Sequence, residues 1–241
     1  MASLARFFFE GDLKQGATVA LDEQTAKHIV QVLRKQNGDK VMLCDGKGHI
    51  ATATITDAAK KRCSVVIDVL DFHNDNKNSF HLAVAFTKNA SRNEWLLEKA
   101  TELGVRSIIP LSTTRTERES NRYERWRGIL ISAMLQSQGN YLPLLTKPLT
   151  LKELAEQFNT VSQKLVAHCM EGKEKQNLSL AIKADSETIL LIGPEGDFTD
   201  EEVSFCEANG FKAVSLGTRR LRTETAAMAA CAYFNMINNG E

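Results

Sequence analysis

The chain has 241 residues, a length that suits one large domain or two smaller ones. Basic and acidic side chains cancel at 30 each, which disfavours a protein held to polyanions by net charge alone. No apolar run reaches the ~20 residues of a membrane helix. Five scattered cysteines without a CxxC motif favour reduced thiols in a cytoplasmic protein, and neither they nor the histidines predict a metal site.

The N-terminal third predicts a small β-domain with one helix. Strands are expected at 6–9, 19–21 and 63–70, and Asp22 is expected to cap a helix that runs to about Arg34. Two further strands, 41–44 and 50–56, flank the turn sequence DGKG and predict a hairpin. The polar sequence before residue 80 predicts a linker, so the expected division is a first domain at 1–72, a linker at 73–79 and a second domain at 80–241.

From residue 80 the pattern changes to apolar runs that alternate with amphipathic helices. This alternation predicts an α/β domain with a parallel sheet covered on both faces. The predicted strands lie at 81–86, 107–111, 164–168, 189–192 and 213–216, and the predicted helices lie at 93–103, 121–138, 151–158, after Thr199 and after Thr223.

Two of these strands end in unusual loops. The run ILLI ends in GPEG at 193–196, where proline and glycine cannot continue a strand and glycine allows a ligand close to the backbone. Thr199 and Glu202 then form a capping-box pattern. The second loop, 217–222, carries three arginines before Thr223, which is expected to cap the last helix. Because ligands bind at the carboxyl ends of parallel strands, the two loops predict one small-molecule site.

Several enzyme classes are disfavoured by the motifs that the sequence lacks. There is no GxGxxG, no GxxxxGK[ST] and no GxSxG, which argues against a nicotinamide enzyme, a P-loop ATPase and an α/β-hydrolase. The spacing of acidic residues and histidines predicts no paired-carboxylate or nucleophile–histidine site either. The chemistry of the predicted site is therefore left open by spacing alone.

The order of the motifs carries a family resemblance. GPEG after ILLI, followed by LGTRRLRTETA before a final helix, resembles the SPOUT superfamily of S-adenosylmethionine-dependent RNA methyltransferases. More narrowly, the chain is similar to the RsmE family, the ribosomal RNA small-subunit methyltransferases E. The segments RFF, HIVQVLR, GDKVMLCDG, EKATELGV and IIPLSTTRTE extend the similarity over nearly the whole chain.

The resemblance implies a fold and a function. It implies an N-terminal PUA-like β-barrel that binds RNA, a C-terminal α/β SPOUT domain with a deep trefoil knot, and a homodimer. It implies methylation of N3 of uridine 1498 in the 16S rRNA of the small ribosomal subunit, with S-adenosyl-L-methionine as cofactor. The implied cofactor-binding residues are Leu111, Ser112, Thr113, Gly193, Pro194, Glu195, Gly196, Leu216, Gly217, Leu221, Arg222, Thr223 and Thr225.

The sequence departs from the family pattern at two places. Asp197 stands where the family usually has a further glycine, and aspartate tolerates a left-handed backbone better than most residues, so the loop is expected to persist. The segment that follows Gln136 lacks the arginines that the family often has there, which puts an RNA contact at this segment in doubt.

The implied chemistry suggests roles for three residues. Uracil N3 holds a proton at neutral pH, so methylation needs a base or stabilisation of the uracil anion. Arg222 is the candidate for stabilising the anion, and Glu195 and Glu224 are candidates for proton removal, with a loop brace and a helix N-terminal charge as their structural alternatives. The target base must also be unpaired or flipped. The candidate RNA-binding residues are Arg6, Arg34, Lys88, Arg92, Arg115 and Arg118, of which Arg115 and Arg118 rank first because they follow a strand end.

Two alternative functions remain open at this point. One is a related knotted methyltransferase that acts on a ribose 2′-hydroxyl or on transfer RNA. The other is a non-catalytic RNA-binding module on the same fold, which would not bind S-adenosylmethionine.

Overall fold

The computed structural model describes residues 4–59, 61–74, 79–116 and 122–239. The chain forms two compact units. The first contains Met1–Asp75 and Met134–Leu142, and the second contains Asn76–Ala133 and Pro143–Glu241. The short segment from the C-terminal half joins the first unit because Met134 is buried in an apolar cluster with Cys44 and Ile50. The sequence had placed this segment in the second domain.

The first unit is built on a five-stranded sheet with the strand order β1-β3-β4-β5-β2. Strands β1 and β3 are parallel, and the other neighbours are antiparallel. The hairpin predicted around DGKG is present between β3 and β4. The strands are β1 Arg6–Phe8, β2 Thr18–Leu21, β3 Lys40–Cys44, β4 His49–Ala59 and β5 Arg62–Phe72.

The helix of the first unit ends near its predicted position, but only its first part is α-helical. Helix α1 spans Glu23–Lys27 and begins at the predicted cap, since Asp22 accepts a hydrogen bond from the backbone N–H of Thr25 at 2.9 Å. A π-helical turn, His28–Val32, continues it. Arg34 then has a left-handed backbone with φ 54°, which ends the helix at the position expected from the sequence.

The second unit is a parallel sheet with the strand order β11-β13-β10-β12-β6-β7-β8, and β9 pairs with β7. Every pairing in this sheet is parallel, as the alternation of strands and helices predicts. The strands are β6 Phe80–Val84, β7 Ser107–Ser112, β8 Leu144–Leu145, β9 Leu149–Thr150, β10 Gln163–Ala167, β11 Gln176–Asn177, β12 Thr188–Ile192 and β13 Lys212–Ser215.

Five helices were expected in the second unit, and each is present and begins within a few residues of its predicted start. Asn89 caps α2 by accepting hydrogen bonds from two backbone N–H groups, and Thr150 and Glu153 form a capping box at α4. The short α5 was not predicted. The helices are α2 Ala90–Glu102, α3 Tyr123–Gln136, α4 Leu151–Gln157, α5 Leu178–Ala181, α6 Asp200–Ala208 and α7 Thr223–Asn239.

The central strands of the second unit are buried on both faces. Leu190 and Leu191 of β12 and Leu165 and Val166 of β10 are fully buried, which explains why these runs are continuously apolar. The α/β class with a parallel sheet is thus confirmed, whereas the trefoil knot stays a prediction, because a strand order does not state whether the chain passes through a loop. Within the described residues, no helix is both long and apolar enough to cross a membrane.

Candidate functional site

Three neighbouring strands of the second unit end at one cavity. In the order β13-β10-β12, the residues that follow each strand line a cavity of about 810 Å³. This volume lies within the roughly 300–1,000 Å³ typical of sites for small molecules and cofactors. The two loops that the sequence singled out, 193–196 and 217–222, form part of its wall.

The GPEG loop is shaped by packing as well as by its turn. A Cβ atom on Gly193 would lie 3.0 Å from the ring of Phe198, a fully buried residue, so any larger residue would press on the core at this position. Asp197 has φ 62°, and its Oδ1 accepts a hydrogen bond from the backbone N–H of Phe198 at 2.8 Å. The expected tolerance of aspartate for this left-handed position is therefore confirmed.

The helix after this loop begins as the sequence predicts. Thr199 and Glu202 form a reciprocal capping box. The carboxylate of Glu202 also accepts a hydrogen bond from the backbone N–H of Thr114 at 2.8 Å. Next to it, the guanidinium of Arg115 donates to the carbonyl oxygen of Gly196. The loop after β7 thus braces the GPEG loop, and Arg115 contributes to that brace.

The second loop turns at Gly217 and joins the first through Thr223. Gly217 has φ 118°, a conformation that favours glycine. Helix α7 begins at Thr223, and the backbone N–H of Ala226 donates to the carbonyl oxygen of Arg222 at 2.8 Å. The hydroxyl of Thr223 donates to the carbonyl oxygen of Gly193 at 3.2 Å. Thr223 is therefore the first helical residue and a link between the two loops, and the predicted role of its side chain as the helix cap is wrong.

Arg92 joins the two glutamates that the sequence proposed as bases. Its Nη1 lies 3.4 Å from Oε1 of Glu195, and its Nε lies 3.5 Å from Oε1 of Glu224. The side chain of Glu195 is 62% exposed, whereas that of Glu224 is 12% exposed. The second oxygen of Glu224, Oε2, is buried without a hydrogen-bond partner among the described residues.

The rim of the cavity carries unpaired positive charge. Arg219, Arg220 and Arg222 line the cavity and are exposed. In the part of the chain that the structure describes, no hydrogen bond or ion pair engages their side chains. Such guanidinium groups are suited to phosphate oxygens or to a developing anion.

His168, which directly follows β10 and lines the cavity, was not predicted as a site residue from the sequence. The residue is 6% exposed and lines the cavity, and neither ring nitrogen has a hydrogen-bond partner among the described residues. Burial lowers the pKa of its imidazole, and the nearby ammonium group of Lys175 lowers it further. The only signal in the sequence is a polar residue placed directly at the carboxyl end of an apolar run.

Known proteins resemble this chain over most of its length. A model described as an RNA methyltransferase domain matches residues 74–235, and one described as an RNA methyltransferase PUA domain matches residues 21–68. The ribosomal RNA small subunit methyltransferase E of Synechocystis is 33% identical over 226 residues, which are 92% of this chain and 74% of that protein.

The chain belongs to the ribosomal RNA small subunit methyltransferase E family. The crystal structure of a probable rRNA-methyltransferase from Porphyromonas gingivalis has a TM-score of 0.91 and 32% identity, and covers 98% of both chains. The family member from Neisseria gonorrhoeae, solved bound to S-adenosyl methionine, has a TM-score of 0.80 and 29% identity over 98% of both chains. The PUA-domain match also supports the expected class of the N-terminal domain.

The cofactor residues expected from the family fall into two groups in this structure. Eight of them line the cavity: Gly193, Pro194, Glu195, Leu216, Gly217, Leu221, Arg222 and Thr223. Five do not line it: Leu111, Ser112, Thr113, Gly196 and Thr225.

Strand position explains why the loop 111–113 lies apart from the cavity. Leu111 and Ser112 end strand β7, which is separated from β12 by β6. Leu111 is 1% exposed and belongs to the core, and the hydroxyl of Thr113 pairs with that of Thr116 at 2.7 Å. The loop therefore does not line the cavity, and it affects the cavity only through the hydrogen bonds that Thr114 and Arg115 make to Glu202 and to the GPEG loop.

The residues expected to contact RNA also separate. Arg92 lies in the cavity wall instead of on a distant face, and Arg115 is occupied by the GPEG loop. Lys88 and Arg34 are exposed. Arg118 lies outside the described residues.

Arg6 has a structural role within the first unit. Its guanidinium donates to the carbonyl oxygens of Gln138 and Gly139 and to Oδ1 of Asn140, at 2.7–2.9 Å. Gln138 has φ 58°, so these contacts hold a turn in a left-handed conformation. Because the terminal nitrogens of Arg6 are engaged in this way, the expectation that it contacts an RNA phosphate loses its support.

Proposed function

We propose that this protein transfers a methyl group from S-adenosylmethionine to N3 of one uridine, position 1498, in the 16S rRNA of the small ribosomal subunit. Family membership supports ribosomal RNA methylation, and the finer assignment of base and atom rests on the resemblance. The observation that carries the proposal is a ligand-sized cavity with the unpartnered ring of His168 in its wall and, among the described residues, unpaired arginines on its rim.

The cavity fits a polar cofactor. A buried polar group left without a partner costs about 1–3 kcal/mol, so the ring nitrogens of His168 in the cavity wall favour a ligand that satisfies them. We propose that residues 193–195, 216–217 and 221–223 hold S-adenosylmethionine, largely through backbone groups. When bound, this cofactor supplies a methyl group on a positively charged sulfur.

Arg222 supplies the electrostatic part of the mechanism. Loss of the N3 proton leaves negative charge on the uracil ring, and a guanidinium beside it stabilises that anion. Arg222 is exposed at the rim and unpaired among the described residues, so its charge is available to a base that enters the cavity. The N3 atom lies in the pairing edge, so the base must enter flipped or unpaired.

The two glutamates act by positioning in this proposal. Arg92 pairs with both, which ties the GPEG loop to the start of α7. Glu195 is mostly exposed, and water can accept the proton that leaves N3 once Arg222 stabilises the anion. Glu195 and Glu224 therefore hold the cavity wall in place, and neither is required as a base.

The exposed cations provide the proposed RNA contacts. Arg219 and Arg220 adjoin the cavity, Lys88 precedes α2, and Arg34 lies in the first unit. Lysine and arginine contacts with phosphates give an affinity that falls as the salt concentration rises. We propose these four residues as the RNA contacts of the described chain.

We also propose that the protein is a homodimer. Helix α7 exposes Tyr233 and Met236, and helix α2 exposes Trp95, so large apolar side chains remain at the surface of the second unit. Sedimentation equilibrium should give twice the mass of the chain, and a monomer at micromolar concentration would contradict this proposal.

The function is tested by methyl transfer from labelled S-adenosylmethionine. The substrates are 30S subunits and naked 16S rRNA from a strain that lacks the activity, and the labelled base is mapped. We expect label at N3 of a single uridine. Label on ribose or on transfer RNA would identify a different methyltransferase, and a protein that fails to bind S-adenosylmethionine would be a binding module.

A further inference from the structure

His168 is the buried group of the cavity with the largest unmet hydrogen-bonding capacity. An imidazole has two ring nitrogens, and both are buried and unpartnered among the described residues. The residue is 6% exposed and lines the cavity, so a molecule that binds in the cavity lies against this side chain. A buried histidine with no internal partner is suited to a contact with a bound molecule.

Two tethers fix the backbone on the C-terminal side of this residue. The carboxylate of Asp197 accepts a hydrogen bond from the backbone N–H of Cys169 at 2.7 Å. The ammonium group of Lys175 donates to the carbonyl oxygen of Met170 at 2.6 Å and lies 3.5 Å from that of His168. The backbone that carries the imidazole is therefore fixed before a ligand binds.

The surroundings of the imidazole favour its neutral form. Burial lowers its pKa first, and the ammonium groups of Lys175 and Lys173 lower it as well, whereas the carboxylates of Asp197 and Glu207 act in the opposite direction. A neutral imidazole has one donor nitrogen and one acceptor nitrogen. It can therefore donate one hydrogen bond to, and accept one from, a ligand group that has hydroxyl or ring-nitrogen functions.

The buried position of His168 indicates which part of the cofactor it can contact. Charged groups are the costliest to bury, so the amino-acid end of S-adenosylmethionine favours the exposed rim, where its carboxylate can pair with Arg219, Arg220 or Arg222. The adenosine portion is uncharged and has hydroxyls and ring nitrogens. It can therefore occupy the deep part of the cavity beside His168.

We propose that His168 hydrogen-bonds to the nucleoside moiety of the cofactor and that Asp197 is a positioning residue for it. The proposal rests on the proposed function, because it assumes that the cavity binds S-adenosylmethionine. It places the adenosine of the cofactor at the deep end of the cavity. Asp197, which stands where the family usually has glycine, positions His168 by accepting a hydrogen bond from the backbone N–H of the next residue, Cys169.

Calorimetry with two probes tests the contact. S-adenosylhomocysteine has the nucleoside and the amino-acid end, and 5′-methylthioadenosine has the nucleoside alone. His168→Leu should weaken binding of both probes about tenfold, which corresponds to ~1.4 kcal/mol. His168→Asn, which keeps a donor and an acceptor, should recover part of the affinity.

The possible results distinguish a failure of the proposed His168 contact from a failure of the proposed function. If the wild-type protein binds both probes and His168→Leu binds them equally well, the contact does not exist. If only S-adenosylhomocysteine weakens, His168 contacts the amino-acid end and the assignment to the nucleoside is wrong. If the wild-type protein binds neither probe, the proposed function itself fails.

The positioning role of Asp197 is tested by a double-mutant comparison with His168→Leu. Asp197→Gly, which restores the residue usual in the family, should weaken both probes about threefold in the wild-type background. In the His168→Leu background it should have no further effect, since a positioning residue acts through the residue it positions. Equal effects in both backgrounds would overturn the positioning role.

An NMR measurement on the wild-type protein tests the contact even if the variants fold poorly. The chain has five histidines, so ring signals of the labelled wild-type protein can be resolved, and the spectrum of His168→Asn assigns the signal of His168. Addition of 5′-methylthioadenosine should shift this signal. A His168 signal that stays fixed at saturating ligand would contradict the contact without reliance on any variant's stability.

Discussion

The strands of the parallel sheet in the second unit begin at one edge, the amino edge, and end at the other, the carboxyl edge. Buried polar side chains at the amino edge have hydrogen-bond partners, whereas some at the carboxyl edge lack them among the described residues. At the amino edge, His81 pairs with the hydroxyl of Ser107 at 2.7 Å and with the carboxylate of Glu187 at 3.0 Å. At the carboxyl edge, His168 has no partner among the described residues, and neither has Oε2 of Glu224. Both histidines are largely buried, so depth alone does not separate them.

This difference indicates which edge is structural and which is functional. The amide of Gln163 at the amino edge donates to the carbonyl oxygen of Ala181 and accepts from the hydroxyl of Thr188, so this edge is satisfied internally. Ser107 resembles a nucleophile beside a histidine, yet it is 2% exposed and a substrate cannot reach it. Unsatisfied groups gather where a ligand can complete them.

The largest expected effect belongs to the rim of the carboxyl edge. Arg222→Ala should lower the rate of methyl transfer at least 100-fold, because removal of one charge-stabilising donor typically costs 10²–10³ in rate. Affinity for S-adenosylhomocysteine should change less than threefold. Steady-state kinetics with 30S subunits and calorimetry measure the two quantities.

The matched control for this variant is Arg219→Ala, which removes an equal charge from the same loop. We expect it to weaken RNA binding a fewfold and to leave the maximal rate nearly unchanged. Arg222→Ala with full activity, or Arg219→Ala with the larger loss of rate, would remove Arg222 from the mechanism.

Next in size is the effect at the amino edge, which concerns stability alone. His81→Leu leaves Ser107 and Glu187 without their partner and should lower the free energy of unfolding by about 1–3 kcal/mol. The rate of methyl transfer at a permissive temperature should stay within twofold of wild type. A large loss of activity with normal stability would contradict the division between the two edges.

The same histidine predicts a pH dependence. Burial lowers the pKa of His81 in the folded state, and this effect exceeds the opposing hydrogen bond to Glu187. The unfolded chain then binds a proton more readily, so the contribution is full above the unfolded pKa of about 6.5 and is lost as the pH falls. Thermal unfolding from pH 8 to 5 should show a smaller acid destabilisation in His81→Leu than in wild type.

A smaller effect is expected for the exposed glutamate. Glu195→Gln should reduce the rate of methyl transfer less than threefold, because its ion pair with Arg92 is largely exposed and such pairs contribute little. A loss of 100-fold or more, with the pH profile of a missing base, would restore Glu195 as the proton acceptor. Glu224→Gln at the buried end of the same arginine provides the comparison.

The smallest expected effect is a change in thiol reactivity. Cys169 lines the cavity and is exposed, whereas Cys206 and Cys231 are buried and burial raises the pKa of each to about 12. A thiol reagent should therefore modify Cys169 first, and S-adenosylhomocysteine should slow that reaction. Unchanged reactivity at saturating ligand would place the ligand away from this end of the cavity.

Local sequence determined the elements and both loops. Apolar runs such as 189–192 are buried on both faces of a parallel sheet, and Thr199 with Glu202 marks a helix start within four residues. Such features depend on neighbours in the chain, which a sequence displays directly. The position of the site at the carboxyl edge followed from the strand order that this pattern implies.

Contacts between distant residues could not be predicted in this way. Arg92 pairs with Glu195 and Glu224, which lie more than 100 positions away, and Arg6 reaches the turn at Gln138 across 132 positions. Nothing in the local pattern distinguishes these arginines from surface charges. His168 was missed for the same reason, because its lack of partners is a property of the folded structure.

The most direct test of the account is a crystal structure of the protein with S-adenosylhomocysteine. The ligand should lie in the cavity between the loops 193–197 and 216–222, with its adenosine within hydrogen-bond distance of His168 and its sulfur near the rim that carries Arg222. A ligand bound at the amino edge, or one that leaves His168 without a new partner, would contradict the account.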